Sequence, residues 1–341
     1  MQLNAGVPTP VGIALRIVLL ITAALAALLL SGAIRVVDLI TPGALGPSAE
    51  LIRQDFGPAS VPDDETGYDG QQFYAIAREF PDLQAAADHL DAPRYRLLRI
   101  GAPAVASMGG SGVPVVLLLA AVNVFGTGLA CWALATLCVD RGWSPGLGYV
   151  AAVPVTFGIV GSTADPISLG LGLAAVVAAS RGRHATAIAV FVLAALTREQ
   201  VAAMSLGAAA GLFVAGARRW WLVAYAMPVA VLVGWYLALG GIVGGTLPDR
   251  VDLLAMFSTG AEGLLVGSLA LAISMWGAWS WRSVPVAWPT ALGFGLWILI
   301  YFRGTFDVEA LPRTTAPSLA LGAAALGASI LARRRRAPGP R

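Results

Sequence analysis

Residues 112–138 read GVPVVLLLAAVNVFGTGLACWALATLC, a stretch of 27 residues without one charged side chain. About 20 apolar residues in a helix cross the hydrocarbon core of a bilayer, so this stretch is long enough to span one. It is also far too long for a buried strand of four to eight residues. The natural reading is a helix whose solvent is lipid.

The same pattern recurs on both sides. Apolar segments run approximately over 11–34, 112–138, 146–161, 166–180, 185–197, 200–216, 220–239, 261–281, 285–302 and 315–332. The expected fold is all-α: a polytopic transmembrane helical bundle of about ten spans, forming a single domain over 1–341. The third, fourth and fifth segments are short, which suggests tilted, broken or re-entrant helices. The first is too long for a signal h-region and lacks a clear cleavage site, so it reads as a signal anchor.

Composition agrees. Of 341 residues, 57% are hydrophobic and only 12% charged, with mean hydropathy +0.77. Soluble domains carry about 25% charged residues to face water. The pI near 9.1 does not indicate nucleic-acid binding, because the basic residues are short punctuation between apolar segments. All 22 basic residues are Arg, and with heavy Ala and Gly usage this points to a GC-rich bacterial genome and a bacterial inner (plasma) membrane. Cys131 and Cys138 share one helical face seven residues apart and read as packing residues. His89 and His184 lie in different loops, so no histidine metal site is expected.

Charge gives the topology. Alternating spans place Arg141, Arg181, Arg183, Arg218, Arg219, Arg282, Arg333 to Arg336 and Arg341 on one side, and Arg198, Arg250, Arg303 and Arg313 on the other. That is 11 against 4, so the first side is cytoplasmic by the positive-inside rule. Both termini, including the basic tail 333–341, are then cytoplasmic. Of the 19 acids only Asp140 falls on that side, which points to the outer face as the place of the chemistry.

Residues 35–96 form the long first extracytoplasmic loop and hold 11 of the 19 acids. Loops of this length are usually functional or disordered. Within it 69–80 (DGQQFYAIAREF) places Phe73, Ile76, Ala77 and Phe80 on one helical face. A second amphipathic stretch, 94–106, is basic at Arg94, Arg96 and Arg99, and Pro103 should end or kink it. Both are expected to lie along the outer membrane interface, anchored by Tyr68, Phe73, Tyr74, Phe80 and Tyr95.

Four polar constellations stand out. The first packs Asp63, Asp64, Glu65 and Asp69 into seven residues. Clustered carboxylates can bind a divalent metal or raise one another's pKa until one serves as a base. Asp69 also has the position of an N-cap, with Gln72 completing a capping box. The second is STADP (162–166), where Asp165 is either an acid near membrane depth or a plain N-cap before Pro166. The third is LTREQ (196–200), where Arg198 and Glu199 sit between apolar runs. A guanidinium there suits a phosphate; the alternative is an ion pair of Arg198 with Glu199 or Asp165. The fourth is the last outer loop, 303–313, with Arg303, Asp307, Glu309 and Arg313.

Asp69 within YDGQQFYAIA, followed by RYRLLRI at 94–100, resembles the W/Y-D-x-x-x-Y-x-x-I-A pattern of polyprenyl-phosphate-dependent mannosyltransferase relatives in the GT-C superfamily of integral membrane glycosyltransferases. ADP at 164–166 and LTRE at 196–199 fall where such relatives have further outer polar motifs. The likeness implies a lipid-facing enzyme that moves a sugar from a polyprenyl-phosphate-sugar donor to an acceptor outside the cytoplasm. Asp69 would be the base. Arg198, Glu199, Asp165, Tyr68, Gln72, Tyr74, Arg96 and Arg303 would bind substrate. The partners implied are membrane lipid and the lipid-linked donor, with no nucleic acid and no organic cofactor. A divalent metal at Asp63, Asp64 and Glu65 remains compatible. A lipid or solute transporter or flippase is the alternative, and it would want ionisable groups in mid-span.

Overall fold

Thr9 and Pro10 start the first helix: the Thr9 hydroxyl accepts from Gly12 N at 3.1 Å, and Pro10 takes the first helical position. In the computed structural model this helix, α1 (Pro10–Leu30), is followed by α2 (Ala49–Phe56), α3 (Asp69–Glu79), α4 (Leu83–Ala87), α5 (Pro93–Arg96) and α6 (Gly101–Ala106). Then come α7 (Val113–Asp140), α8 (Asp165–Ser180), α9 (His184–Thr197), α10 (Val201–Val214), α11 (Arg219–Ala224) and α12 (Met227–Ile242). The structure describes residues 8–63, 65–155, 159, 161–244, 279–281, 321, 323–325 and 328. Among them there is no strand, so the all-helical expectation holds.

The span count is smaller. Among the described residues three helical segments are long and apolar enough to cross a membrane: Pro10–Leu30, Val113–Asp140 and Arg219–Ile242. That is consistent with a membrane protein. Helices α8, α9 and α10 are apolar but have fewer than 18 residues. The expected span at 146–161 is instead a 3-10 helix over Pro145–Val155. Pro154 and the glycines at 146 and 148 explain the difference, since both residue types weaken an α-helix. The expected spans at 261–281, 285–302 and 315–332, and the tail 333–341, lie almost entirely outside the described residues.

Helix α7 is the axis. It has 28 residues, roughly 42 Å of helix, and packs against α1 on one side and α8 on another. Glycine makes the α8 contact close. A Cβ at Gly126 would stand 2.3 Å from Ile167 Cα, and one at Gly170 would stand 2.3 Å from Gly126 O. Small residues that let two backbones meet are the usual glue between apolar helices.

Residues 35–110 form a layer over the Val113 end of α7. Leu39, Ile40, Ile52, Phe73, Tyr74, Ile76 and Leu97 pack there with Val115, Val116 and Leu119. This corrects the expectation of helices lying on an interface. Gly70 to Ala77 of α3 are all buried inside the protein, and Phe73 and Tyr74 are wholly so. Tyr74 explains part of this: its hydroxyl donates to Asp55 Oδ2 and accepts from Gly112 N, pinning α3 between α2 and the start of α7. The 94–106 stretch breaks into α5, a 3-10 turn over Leu97–Arg99, and α6. The break precedes Pro103, which sits in the first turn of α6 where its missing N–H is tolerated.

The opposite end of the bundle is basic and aromatic. Asp140 and Arg181 pair at 3.2 Å, Arg141 Nη2 donates to Ser280 O at 2.8 Å, and His184 Nδ1 lies 3.2 Å from Tyr225 Oη. The acid-rich layer and the arginine-rich links therefore occupy opposite ends of α7.

Candidate active site

The site begins with how the chain enters α3. Gln71 clamps the preceding loop: its Oε1 accepts from Gly43 N at 3.2 Å and its Nε2 donates to Thr66 O at 2.8 Å. Tyr68 N donates to Thr41 O at 3.0 Å. Gly70 then passes the 161–165 link so closely that a Cβ there would stand 2.3 Å from Gly161 O. The Tyr68 ring covers Gly161. These contacts bring STADP beside the start of α3.

Asp69 is the first residue of α3, and Tyr68 is the capping position, without a side-chain cap bond. The capping box is therefore absent. Gln72 Oε1 instead accepts from Asp91 N at 3.4 Å. The Asp69 carboxylate turns to α5 and the turn after it. Arg96 Nη1 donates to Oδ1 at 2.5 Å, and Arg99 Nη1 reaches Oδ2 at 3.5 Å. Residues three apart on a helical turn share a face, which is why one carboxylate meets both arginines.

Each arginine has a second, two-pronged partner. Arg96 holds Asp91 through Nε and Nη2, both at 2.8 Å. Arg99 holds Glu199 through Nε at 3.0 Å and Nη2 at 2.8 Å, and it also contacts the Tyr95 hydroxyl. The result is a chain of alternating charge: Asp91, Arg96, Asp69, Arg99, Glu199. Next to it Arg198 Nη1 lies 2.7 Å from Asp165 Oδ1, and Asp165 Oδ2 accepts from Thr163 Oγ1 at 2.8 Å. Asp165 is the first residue of α8, and its side chain pairs with Arg198 and Thr163 rather than capping.

Burial alone would push the Asp69 carboxyl up. Arg99, then Arg96 and Arg198, outweigh it and hold the group below the usual aspartate range. Burial is likewise overcome at Glu199, where Arg99 holds the carboxyl down at about 2. Asp91 is lowered by its bonds from Arg96. Asp69 is thus ionised and weakly basic while the arginines hold it. A ligand anion that took Arg96 would free one oxygen of Asp69 and raise its basicity. Among the described residues the Asp69 side chain is 24% exposed, against 2% for Arg99 and 8% for Arg198, so access is from the Asp69 and Arg96 side.

The structure gathers Asp69, Arg96, Glu199, Arg198 and Asp165, with Tyr68 and Gln72 beside them. It does not bring Tyr74 there, because that hydroxyl is committed to Asp55 and Gly112. Asp63 and Glu65 are exposed, whereas Asp64 and Arg303 lie outside the described residues. Among the described residues no three His, Cys, Asp or Glu side chains come together as metal ligands. Arg99 and Asp91 are participants to which the sequence reading gave no role. The Arg96 to Arg99 spacing was the available signal. Comparison with protein-family models, curated proteins and solved structures finds no match.

Proposed function

We propose that this chain is an integral membrane glycosyltransferase of GT-C type, acting on the extracytoplasmic side of a bacterial plasma membrane with both termini in the cytoplasm. The observation that carries the reading is the Asp69 carboxylate, partly open to solvent, held between Arg96 and Arg99 beside a second ion pair from distant links. In this reading the donor is a polyprenyl-phosphate sugar whose tail lies in the bilayer. Its phosphate takes Arg96, the more exposed of the two arginines on Asp69. Asp69 then removes the proton from the acceptor hydroxyl. The hydroxyl oxygen bonds to the anomeric carbon as the carbon–phosphate oxygen bond breaks, and polyprenyl phosphate leaves. General base catalysis and charge stabilisation each supply rate.

The sequence-based assignment of the phosphate to Arg198 is revised here. Arg198 is deeply buried and already faces Asp165. One observation favours a non-catalytic reading: each charge in the Asp91 to Glu199 chain has a partner within the protein, as in a purely structural tie. The Asp69→Asn variant separates the two. It keeps the shape of the side chain, and its amount and melting temperature in membranes report folding. Turnover of a polyprenyl-phosphate sugar should fall at least 100-fold, the lower range for losing a general base. Normal turnover by a folded variant removes Asp69 as the base.

A further inference from the structure

The ion-pair chain accounts for Asp69, Arg96, Arg99 and Glu199, but not for the polar atoms beneath it. Asn123 Oδ1, Ser162 Oγ, Asp165 Oδ1, Arg198 Nε and Nη1, and Gln200 Nε2 are buried and make no aligned hydrogen bond among the described residues. Arg198 Nη1 and Asp165 Oδ1 are within ion-pair distance of each other, but without hydrogen-bond alignment. None of these five residues is more than 7% exposed. Native proteins leave few such groups, and each calls for an explanation.

Their placement is concentrated. Ser162 and Asp165 lie on the link before α8, and Arg198 and Gln200 lie on the link between α9 and α10. The Arg198–Asp165 pair ties the two links together. Asn123 is one turn of α7 above Gly126, the point where α7 meets Pro166 and Ile167. Ser162 is held at φ 44°, the left-handed region that a serine rarely adopts.

The chemistry of the set is mixed. Arg198 and Gln200 offer donors, Asp165 and Asn123 offer acceptors, and Ser162 offers either. Turning over an amide swaps donor for acceptor and leaves the set mixed. The Arg198 and Asp165 charges cancel. A phosphate presents acceptors only, so it would meet the Asp165 carboxylate and the Asn123 carbonyl unfavourably. A hydroxyl both donates and accepts, and several on one ring satisfy such a set.

We propose that these two links and Asn123 form a pocket for a neutral, hydroxyl-rich ring of the monosaccharide class, with Arg198 a sugar-binding residue and not a phosphate clamp. The proposal rests on the glycosyltransferase reading, whose sugar it locates beneath the Asp69 carboxylate. Buried waters are the competing occupants, since each needs two to four polar partners of the same kind.

The test is equilibrium binding of radiolabelled D-mannose, D-glucose, D-galactose and D-arabinose to the full chain in nanodiscs, with sorbitol and inorganic phosphate as competitors. At least one sugar should bind saturably, and neither competitor should displace it. Gln200→Met and Ser162→Ala should each weaken that binding about tenfold, the scale of one lost hydrogen bond. Their melting temperatures should hold or rise, because apolar atoms replace groups without partners. Asn123→Leu is a third variant of the same kind should either fail to fold.

No saturable binding of any sugar to the wild-type chain overturns the pocket, as does displacement by phosphate. Melting temperatures that drop while sugar binding is unchanged assign the groups to structural water and also overturn it. The two proposals fail separately. Sugar binding with undiminished turnover in Asp69→Asn removes the base and keeps the pocket. Loss of turnover in Asp69→Asn without sugar binding to the wild type does the reverse.

Discussion

Arg99 grips Glu199 with two nitrogens, at 2.8 and 3.0 Å, and touches Asp69 with one, at 3.5 Å. The residue that flanks the proposed base is therefore anchored elsewhere, on a link 100 positions away in sequence. Glu199 sets how much of the Arg99 charge reaches Asp69.

Replacing Glu199 by Gln should release Arg99 toward Asp69 and lower the Asp69 pKa further. The acid limb of the pH–rate profile for sugar transfer should then move to lower pH. A shift to higher pH would mean that Glu199 does not restrain Arg99 in this way.

Glu199 also links stability to pH. Its carboxyl is held at about 2 in the folded chain, below the ordinary value of 4.5. A lowered carboxylate stabilises the fold above the unfolded value, and that stability is lost as pH falls toward the folded one. Asp69 and Asp91, also lowered, act in the same direction. The melting temperature in detergent should therefore fall between pH 4.5 and about 2, and Glu199→Gln should flatten part of that slope.

Arg99→Met should be severely destabilising, by about 3–5 kcal/mol, because it leaves Glu199 buried without its cation. Adding Glu199→Gln should restore part of the loss. Denaturation of both variants gives the coupling directly, and strictly additive losses would show that the two side chains act independently.

Gly126→Ala tests the axis of the bundle. A methyl there meets Ile167 backbone atoms at 2.3 Å, which cannot yield as a flexible side chain would. We expect a loss of about 1–3 kcal/mol from overpacking, read as a lower melting temperature. An unchanged melting temperature would show that α7 and α8 can separate freely.

Tyr74→Phe removes a hydroxyl that both donates and accepts while leaving the ring in the core. Stability should fall by about 1–3 kcal/mol as Asp55 and Gly112 lose their partner. The kinetics of sugar transfer should not change, because the hydroxyl faces away from Asp69. A raised KM at unchanged stability would return Tyr74 to the site.

Apolar runs and charge alternation in the sequence were enough to read helices and to separate two polar ends. Those signals depend on local composition, and α1, α7 and α12 show them plainly. The convergence of 69, 96, 165 and 198–199 was expected only from family likeness, because spacing along the chain says nothing about which links cross. That depends on Gly70 and Gly161 approaching backbone to backbone, a contact with no sequence period. The burial of α3 was misread for a related reason: its apolar face was visible, but the cover over its other faces comes from α2 and the start of α7. Asp69 and Asp165 looked like caps because cap and functional acid share one position at a helix start. Only the direction of the carboxylate tells them apart.

Trp235 Nε1 donates to Leu97 O at 3.0 Å, and Arg94 both donates to Tyr236 O at 3.0 Å and stacks 3.6 Å over the Tyr236 ring. Leu97 and Arg94 flank Arg96 in the chain. Helix α12 is thereby bolted to the segment that carries both arginines on Asp69. A swivel of α12 about its long axis would act on that segment as a crank, so a change in how this helix sits in lipid is transmitted to the spacing between carboxylate and guanidinium.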